Sequence, residues 1–346
     1  MFHTYIIGEI GQNHNGEVDT AKQIIDVMAA PVTDELFGQE LKPMDAVKFT
    51  KRDLSEELSA EASLEPYDNP NSFGKTYGEH RAFLELNDEQ HHELYEYAKS
   101  KGLEFIETLC AKGCLTMLDK FTPDKLKVAS RDLSNLPLLE VLAETKIPII
   151  LSTGMAGQSE LDEALEIVTK HHDQISILHC ISQYPSEYSN INLNSIPYLK
   201  QHYPDYTIGY SDHSIGIMIP VAAVSLGASM IEKHVTLDRG MKGTDHKGSL
   251  GPDGIFRMVR DIRNVEKSFG KNDIFIDESV TGVREKLERS IASSQEIAEG
   301  AVITEAYLHL LSPGNGLKWI ERDKIIGKKA LEKISKVSII YENMIE

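Results

Sequence analysis

Cysteine is scarce in this chain: Cys110, Cys114 and Cys180 are the only three in 346 residues. That number and spacing exclude a disulfide framework and a Cys-rich zinc site, and a reducing cytoplasm is the simplest expectation. Positive charge is also short, with 36 lysines and arginines against 54 acidic residues and a formal net charge of -18. Nucleic acid and anionic membrane both need a basic face, so neither is an expected partner. No run approaches the roughly 20 apolar residues of a membrane span. The N-terminal Met-Phe-His-Thr-Tyr-Ile-Ile-Gly-Glu lacks a basic region followed by an apolar leader, so a soluble, unprocessed protein is expected. The Gly-Gln-Asn-His-Asn-Gly run from Gly11 to Gly16 lacks dinucleotide-binding spacing.

What is present is an alternation of short β-rich apolar runs with longer segments of helical period. Strands are expected near Thr4 to Ile10, Asp45 to Thr50, Leu103 to Leu109, Lys125 to Ala129, Pro148 to Ser152, Ile175 to Ile181, Thr207 to Ser211 and Ser229 to Val235. Eight parallel strands close a (β/α)8 TIM barrel, and residues 1–270 are read as that α/β domain. Helices are expected over Glu17 to Met28, Asp88 to Lys101, Pro137 to Glu144, Glu160 to His171 and Pro252 to Phe269, where apolar residues recur three and four apart. Ala30 to Pro43 has two prolines and no clear period. Its place between the first helix and the second strand puts it at the face opposite the active site. Beyond Gly270, a polar linker over 271–287 is expected to lead into a compact piece over 288–346, small for independent stability.

In such a barrel the loops after the strands form one concave face, so chemistry gathers at strand ends. Glu9 ends the first strand, Lys48 and Thr50 the second, Thr108 the third, and Lys127, Ser130 and Arg131 the fourth. Ser152 and Thr153 follow the fifth, Ser182 and Tyr184 the sixth, Ser211, Asp212 and His213 the seventh, Glu232 and His234 the eighth. Two histidines on adjacent strands, each beside a carboxylate, suit a labile divalent ion: Mn²⁺ first, with Mg²⁺ or Co²⁺ as alternatives. Lysines inside apolar strands are costly unless paired. Lys48 and Lys127 therefore either pair with Glu9 or Glu232 or face a phosphate or carboxylate, helped by Ser130, Ser152, Thr153 and Ser211. Asn13 and His14 are expected to organise Glu9 and the rim. Cys110 and Cys114 are expected to be core residues, and His91, His92, His171 and His172 surface residues.

Glu9-Ile10-Gly11-Gln12-Asn13-His14-Asn15-Gly16, Val47-Lys48-Phe49, Lys127-Val128-Ala129-Ser130, Leu151-Ser152-Thr153-Gly154-Met155, Tyr184-Pro185, Gly209-Tyr210-Ser211-Asp212-His213 and Glu232-Lys233-His234 occur in this order. Together they closely resemble the sialic acid synthase family. Arg289-Ser290-Ile291, Pro313-Gly314-Asn315-Gly316 and Ile326-Gly327-Lys328-Lys329-Ala330 resemble that family's C-terminal antifreeze-like (SAF, β-clip) domain, which implies a domain-swapped homodimer.

The resemblance implies condensation of phosphoenolpyruvate with a six-carbon amino sugar and release of phosphate by C–O cleavage. It implies His213 and His234 as metal ligands, with Glu9 and Asp245 on sugar hydroxyls or in the metal shell. Lys48, Thr108, Lys127, Ser130, Ser182 and Ser211 would hold phosphoenolpyruvate. Thr50 stands where many members have glutamine, Arg131 where glycine is common, and Ser312 where N-acetylmannosamine-using bacterial members have arginine.

Three alternatives stand beside this reading. A phosphosugar-using relative would want extra basic residues, for which Lys51, Arg52 and Arg131 are available. A Schiff-base aldolase would use Lys127 as nucleophile without metal. A non-catalytic sugar-binding protein would leave the strand-end lysines and histidines unused.

Overall fold

The computed structural model describes residues 3–346, and they divide into two compact units, the second being Lys271–Glu346. In the first unit eight parallel strands close a barrel: β1 (Tyr5–Glu9), β4 (Ala46–Lys51), β5 (Glu104–Leu109), β6 (Lys125–Val128), β7 (Ile149–Ser152), β8 (Ile175–Cys180), β9 (Thr207–Asp212) and β10 (Met230–His234). All eight expected strands form, with no end shifted by more than one residue. A hairpin of β2 (Val32–Asp34) and β3 (Gln39–Leu41) follows the first helix.

The helices are α1 (Val18–Ala29), α2 (Leu54–Glu57), α3 (Ala60–Leu64), α4 (Tyr77–Phe83), α5 (Asp88–Ser100), α6 (Leu136–Glu144), α7 (Gln158–Val168), α8 (Ser195–His202), α9 (Met218–Ser225) and α10 (Pro252–Ser268). Local chemistry sets their ends. Helix α1 stops at Ala30 because Pro31 forces the preceding residue into extended backbone. Helix α5 starts on a reciprocal cap between Asn87 and Gln90, and α10 starts with Pro252, whose missing N–H costs nothing there. Helix α10 buries Ile255, Met258, Val259 and Ile262, a stripe at three- and four-residue spacing, against the barrel.

Period-two alternation along the strands builds layers inside the barrel. Ile7, Ala46, Ile106, Ile150, Leu178 and Met230 form an apolar plug across its middle. Two residues further along, the same inward positions are Glu9, Lys48, Thr108, Ser152, Cys180 and Glu232. The plug thus floors a polar chamber at the strand ends. Outward positions are almost all apolar and pack under the helices in one large core.

Four outward polar residues have local partners. Lys233 Nζ donates to Asp212 Oδ2 at 2.5 Å, and His179 pairs with the Ile191 carbonyl at 2.7 Å. His91 on α5 lies 3.1 Å from Glu107 on β5, both buried. This corrects the reading of His91 as a surface residue: its polar sequence context hides a carboxylate partner one layer in.

The segment Ala30 to Pro43 is not irregular, since Val32 pairs with Leu41 and Asp34 with Gln39. It does lie at the strand-start end. Arg263 of α10 donates to the carbonyls of Lys42 and Pro43 and pairs with Asp45 at 3.0 Å.

The second unit holds antiparallel strands β11 (Ser290–Ser293) and β12 (Leu308–Leu311), with isolated bridges such as Ala292 to Ile339 and Ile297 to Ile334. Ile291, Ile297, Ile303, Ile325, Ile334 and Ile340 form its core. The stretch 271–287, expected as a linker, carries helix α11 (Thr281–Leu287) and groups with this unit. The Glu285 and Leu287 carbonyls accept from Gly314 N and Ser312 Oγ, which ties the helix to the Pro-Gly-Asn-Gly turn.

Candidate active site

The polar chamber opens into a cavity of about 320 Å³ at the strand ends. Thirteen residues singled out by sequence line it together: Glu9, Lys48, Thr108, Lys127, Ser130, Arg131, Ser152, Ser182, Tyr184, Ser211, His213, His234 and Asp245. The convergence follows from the barrel, because consecutive strand ends are neighbours around one ring.

At the floor, two lysines and two glutamates share one buried network. Lys48 Nζ lies 2.7 Å from Glu9 and 3.8 Å from Glu232, while Lys127 Nζ lies 3.2 and 3.1 Å from the two Glu232 oxygens. All four side chains are at most 6 % exposed. The lysines are therefore paired with Glu9 and Glu232, as one of the two expectations had it, and they also line the cavity. Ser211 Oγ donates to Glu232 Oε1 at 3.0 Å, and Lys48 donates to Thr108 Oγ1 at 3.3 Å.

The two carboxylates are held apart in acidity. Burial and the neighbouring Glu232 raise the Glu9 pKa despite Lys48. Burial also works against charge on Glu232, but Lys127 and Lys48 outweigh it and bring it down to about 2. Lys48 is raised, the two glutamates overcoming its burial.

A ring of hydroxyls stands above the lysines. Gly154 makes it possible, because a Cβ there would come within 2.5 Å of Ser182 Oγ and 2.7 Å of Ser130 Oγ. The Gly154 amide donates to Ser130 Oγ at 3.0 Å and fixes its position. Thr153, expected as a further hydroxyl donor, bonds instead to the Leu178 carbonyl and does not line the cavity. Asp212 also turns away from the chamber toward Lys233.

The histidines face each other across one side, with ring centroids 5.6 Å apart. His213 Nδ1 lies 2.8 Å from the Ile181 carbonyl, a contact that requires its N–H there; burial opposes its charge, but Cys180, that carbonyl and Glu232 raise its pKa. His234 Nδ1 is buried without a hydrogen-bond partner among the described residues. Burial, with help from His213 and Lys48, holds His234 down to about 4, so it is a neutral ring near pH 7. Tyr184 lies over His213 at 3.9 Å between centroids.

Two imidazoles on one side of the cavity, His234 among them as a neutral ring, fit a divalent cation, which would take the place of any proton on Nε2 of His213. Among the described residues no group of three His, Cys, Asp or Glu side chains is arranged to hold one, so further ligands would be water or substrate oxygen.

Several rim residues differ from expectation. Asn13 reaches the Val235 carbonyl and Ser249, and His14 accepts from the Gly16 amide, so they shape the loop after β1 rather than contact Glu9. Lys51 turns to Glu85 at 2.8 Å and leaves the cavity. Cys110 and Cys114 are buried as expected, although Cys110 also touches the cavity wall.

Sequence reading missed Tyr67, Tyr77, His80 and Arg81, all from the long connection over 52–87 that folds over the mouth. The length of that connection was the available signal, since long structured loops in compact domains are usually functional.

Comparison with known proteins gives the chain a family. Residues 42–273 match the model of the NeuB family. The human N-acetylneuraminate-9-phosphate synthase is 33 % identical over 99 % of this chain and 92 % of its own length. The N,N'-diacetyllegionaminic acid synthase of Legionella pneumophila is 32 % identical over 98 % of this chain and 94 % of its own. The N-acetylneuraminic acid (sialic acid) synthetase of Leptospira borgpetersenii, solved with citrate, superposes with a TM-score of 0.68 at 31 % identity, covering 81 % of this chain and 90 % of that one. Among the described residues no helix is long and apolar enough to cross a membrane. With a family match across two-thirds of its length, and relatives above 30 % identity along nearly all of it, the chain belongs to the NeuB family.

Proposed function

We propose that this protein is a nonulosonic acid synthase that condenses phosphoenolpyruvate with a six-carbon amino sugar and releases phosphate. The observation that carries this reading is the juxtaposition of buried Lys48 and Lys127, roofed by hydroxyls, with the paired His213 and His234 in one cavity. Relatives named N-acetylneuraminate-9-phosphate synthase, N,N'-diacetyllegionaminic acid synthase and pseudaminic acid synthase support it.

The donor's phosphate and carboxylate lie on Lys48, Lys127 and the hydroxyls of Thr108, Ser130, Ser152, Ser182 and Ser211, each a charge-assisted or neutral hydrogen bond. That placement aims C3 of the donor at the C1 aldehyde of the sugar, and positioning contributes much of the rate. A divalent cation held by His213 and His234, Mn²⁺ first with Mg²⁺ or Co²⁺ as alternatives, would supply Lewis acidity to that aldehyde.

When C3 attacks C1, the C1 oxygen gains a proton, for which Glu9, its acidity weakened by burial, is the donor. C2 becomes cationic and faces the anionic Glu232. Water adds at C2 and loses a proton. The C2–O bond to phosphate then breaks, leaving the keto acid and inorganic phosphate. Asp245 and Tyr184 line the side where sugar hydroxyls enter. Glu232 grips Lys127 with both oxygens, the arrangement of an anion-binding ammonium rather than an amine nucleophile, which disfavours the Schiff-base alternative.

The same proposal includes an antifreeze-like fold for the second unit, a homodimer and a cytoplasmic location. Light scattering tests the dimer.

The test of function is a panel of N-acetylmannosamine, its 6-phosphate, mannose and 2,4-diacetamido-6-deoxyhexoses with phosphoenolpyruvate and Mn²⁺. Phosphate release with a product of the summed carbon skeleton is expected from at least one amino sugar, and chelation by EDTA is expected to stop it until Mn²⁺ is restored. Full activity in EDTA, with borohydride trapping of pyruvate on Lys127, would instead establish the lyase.

A further inference from the structure

Three arginines converge at the cavity mouth, apart from the lysines at its floor. Arg52 follows β4, Arg131 follows β6, and Arg81 lies on α4 of the covering connection; all three line the cavity. Arg52 and Arg131 share a single carboxylate oxygen, Glu57 Oε2, at 3.1 and 2.6 Å, and Arg131 also meets Asp132 at 3.2 Å.

Arg81 has no carboxylate within 4 Å among the described residues. Its Nε donates to Tyr77 Oη at 2.8 Å, and its two terminal amino groups have no acceptor there. Burial, together with the nearby Arg52 and Arg131, works against its charge. Three guanidiniums against Glu57 and Asp132 leave one positive charge in excess, in a chain with net charge -18. A half-buried guanidinium held without a counter-ion beside two others is costly unless an anion completes it.

We infer that Arg52, Arg81 and Arg131 form a second anion subsite that takes the phosphate monoester of the acceptor, so the sugar this enzyme uses is a hexosamine phosphate. The inference rests on the proposed synthase function and narrows its substrate class. A phosphate offers three oxygens where Glu57 offers one, which suits planar, forked donors arriving from three directions. The acceptor, rather than phosphoenolpyruvate, is the favoured source for two reasons. The donor's two anionic groups already have Lys48, Lys127 and the hydroxyl ring. Helix α4 also carries His80 beside Asp245, on the side where the sugar enters.

The experiment compares N-acetylmannosamine 6-phosphate with N-acetylmannosamine as acceptors for the full-length enzyme with Mn²⁺, measuring kcat/KM and both Michaelis constants. The phosphorylated acceptor is expected to be preferred by about 100-fold, and Arg81→Gln to erode that preference by about 10- to 100-fold through the acceptor KM. Arg81→Lys is expected to keep more of the preference than Arg81→Gln. Arg52→Gln, on a different element, is the second variant and is expected to shift the preference in the same direction.

Equal or better use of the unphosphorylated sugar by the wild-type enzyme would overturn the subsite and leave the synthase function standing. So would a rise in the phosphoenolpyruvate KM matching or exceeding that of the acceptor, which would give the arginines to the donor. Absence of phosphate release with any sugar of the panel would overturn the synthase function itself.

Discussion

The two ends of the barrel both bury charge, and they handle it in opposite ways. At the strand-start end, Arg263 pairs with Asp45 and Glu266, and Asp45 also meets Lys42, His3 and the Ile6 amide. Below the apolar plug, Tyr5, Glu104 and Lys125 form a further paired group. At the strand-end side, Glu9 and Glu232 compete for Lys48, and among the described residues His234 Nδ1 is buried without a hydrogen-bond partner and Arg81 has no carboxylate within 4 Å. One end pairs each of these buried charges and fixes structure. The other is held incomplete, with positions that substrate and metal would fill, and proteins keep such arrangements where function requires them.

Replacing the mouth's network should separate stability from activity most sharply. The double variant Lys127→Met with Glu232→Leu removes a buried pair and leaves Lys48 matched to Glu9. Its thermal midpoint is expected to hold or rise, because well-packed apolar residues replace buried ion pairs at little cost. Activity is expected to fall by at least about 10³-fold, because the donor loses a principal cation. His213→Ala and His234→Ala are likewise expected to abolish turnover while the circular dichroism spectrum is kept. An inactive but unfolded double variant would break the contrast between the two ends.

The base should respond the other way. Asp45→Ala takes one of its two carboxylates from Arg263 and leaves the Ile6 amide without its acceptor, and is expected to cost about 1–3 kcal/mol in urea unfolding, while kcat per folded molecule is kept. Acid should act there too. Burial alone would raise Asp45, but Lys42, the Ile6 amide, His3 and Arg263 outweigh it and lower its pKa. A carboxyl lowered on folding contributes stability that is present above its unfolded pKa of about 3.9, and that is lost as pH falls through the lower folded value. The wild type should therefore lose stability more steeply than Asp45→Asn as pH drops below about 4, measured by unfolding at a series of pH values. Equal slopes would remove Asp45 from the account.

The smallest effect sharpens the roof of the site. Ser130→Ala removes one hydroxyl that the Gly154 amide positions, and a rise of about 10-fold in the phosphoenolpyruvate KM is expected.

How much of this could be read from sequence depended on whether a residue's partner was local. All eight barrel strands were legible because each is a short apolar run between turn signals, and twelve of the thirteen site residues followed from sitting at strand ends, Asp245 coming from the family resemblance alone. Helix α9 was not, since Met218–Ser225 is apolar at nearly every position and shows no face. Helices α2, α3 and α4 are four, five and seven residues long, too short for a period to register, so Arg81 passed unnoticed. His91 was misread because Glu107, sixteen residues away on the neighbouring strand, is invisible to local pattern. The same is true of Lys51, whose partner Glu85 comes back across the whole covering connection.

The most direct measurement follows the bridging oxygen of the donor. With phosphoenolpyruvate carrying ¹⁸O between C2 and phosphorus, and an accepted amino sugar, the label is expected to leave entirely in inorganic phosphate, since C2–O is the bond that breaks. Label retained in the sugar acid would mean cleavage at phosphorus and would contradict the chemistry assigned to Lys48, Lys127, Glu9 and Glu232.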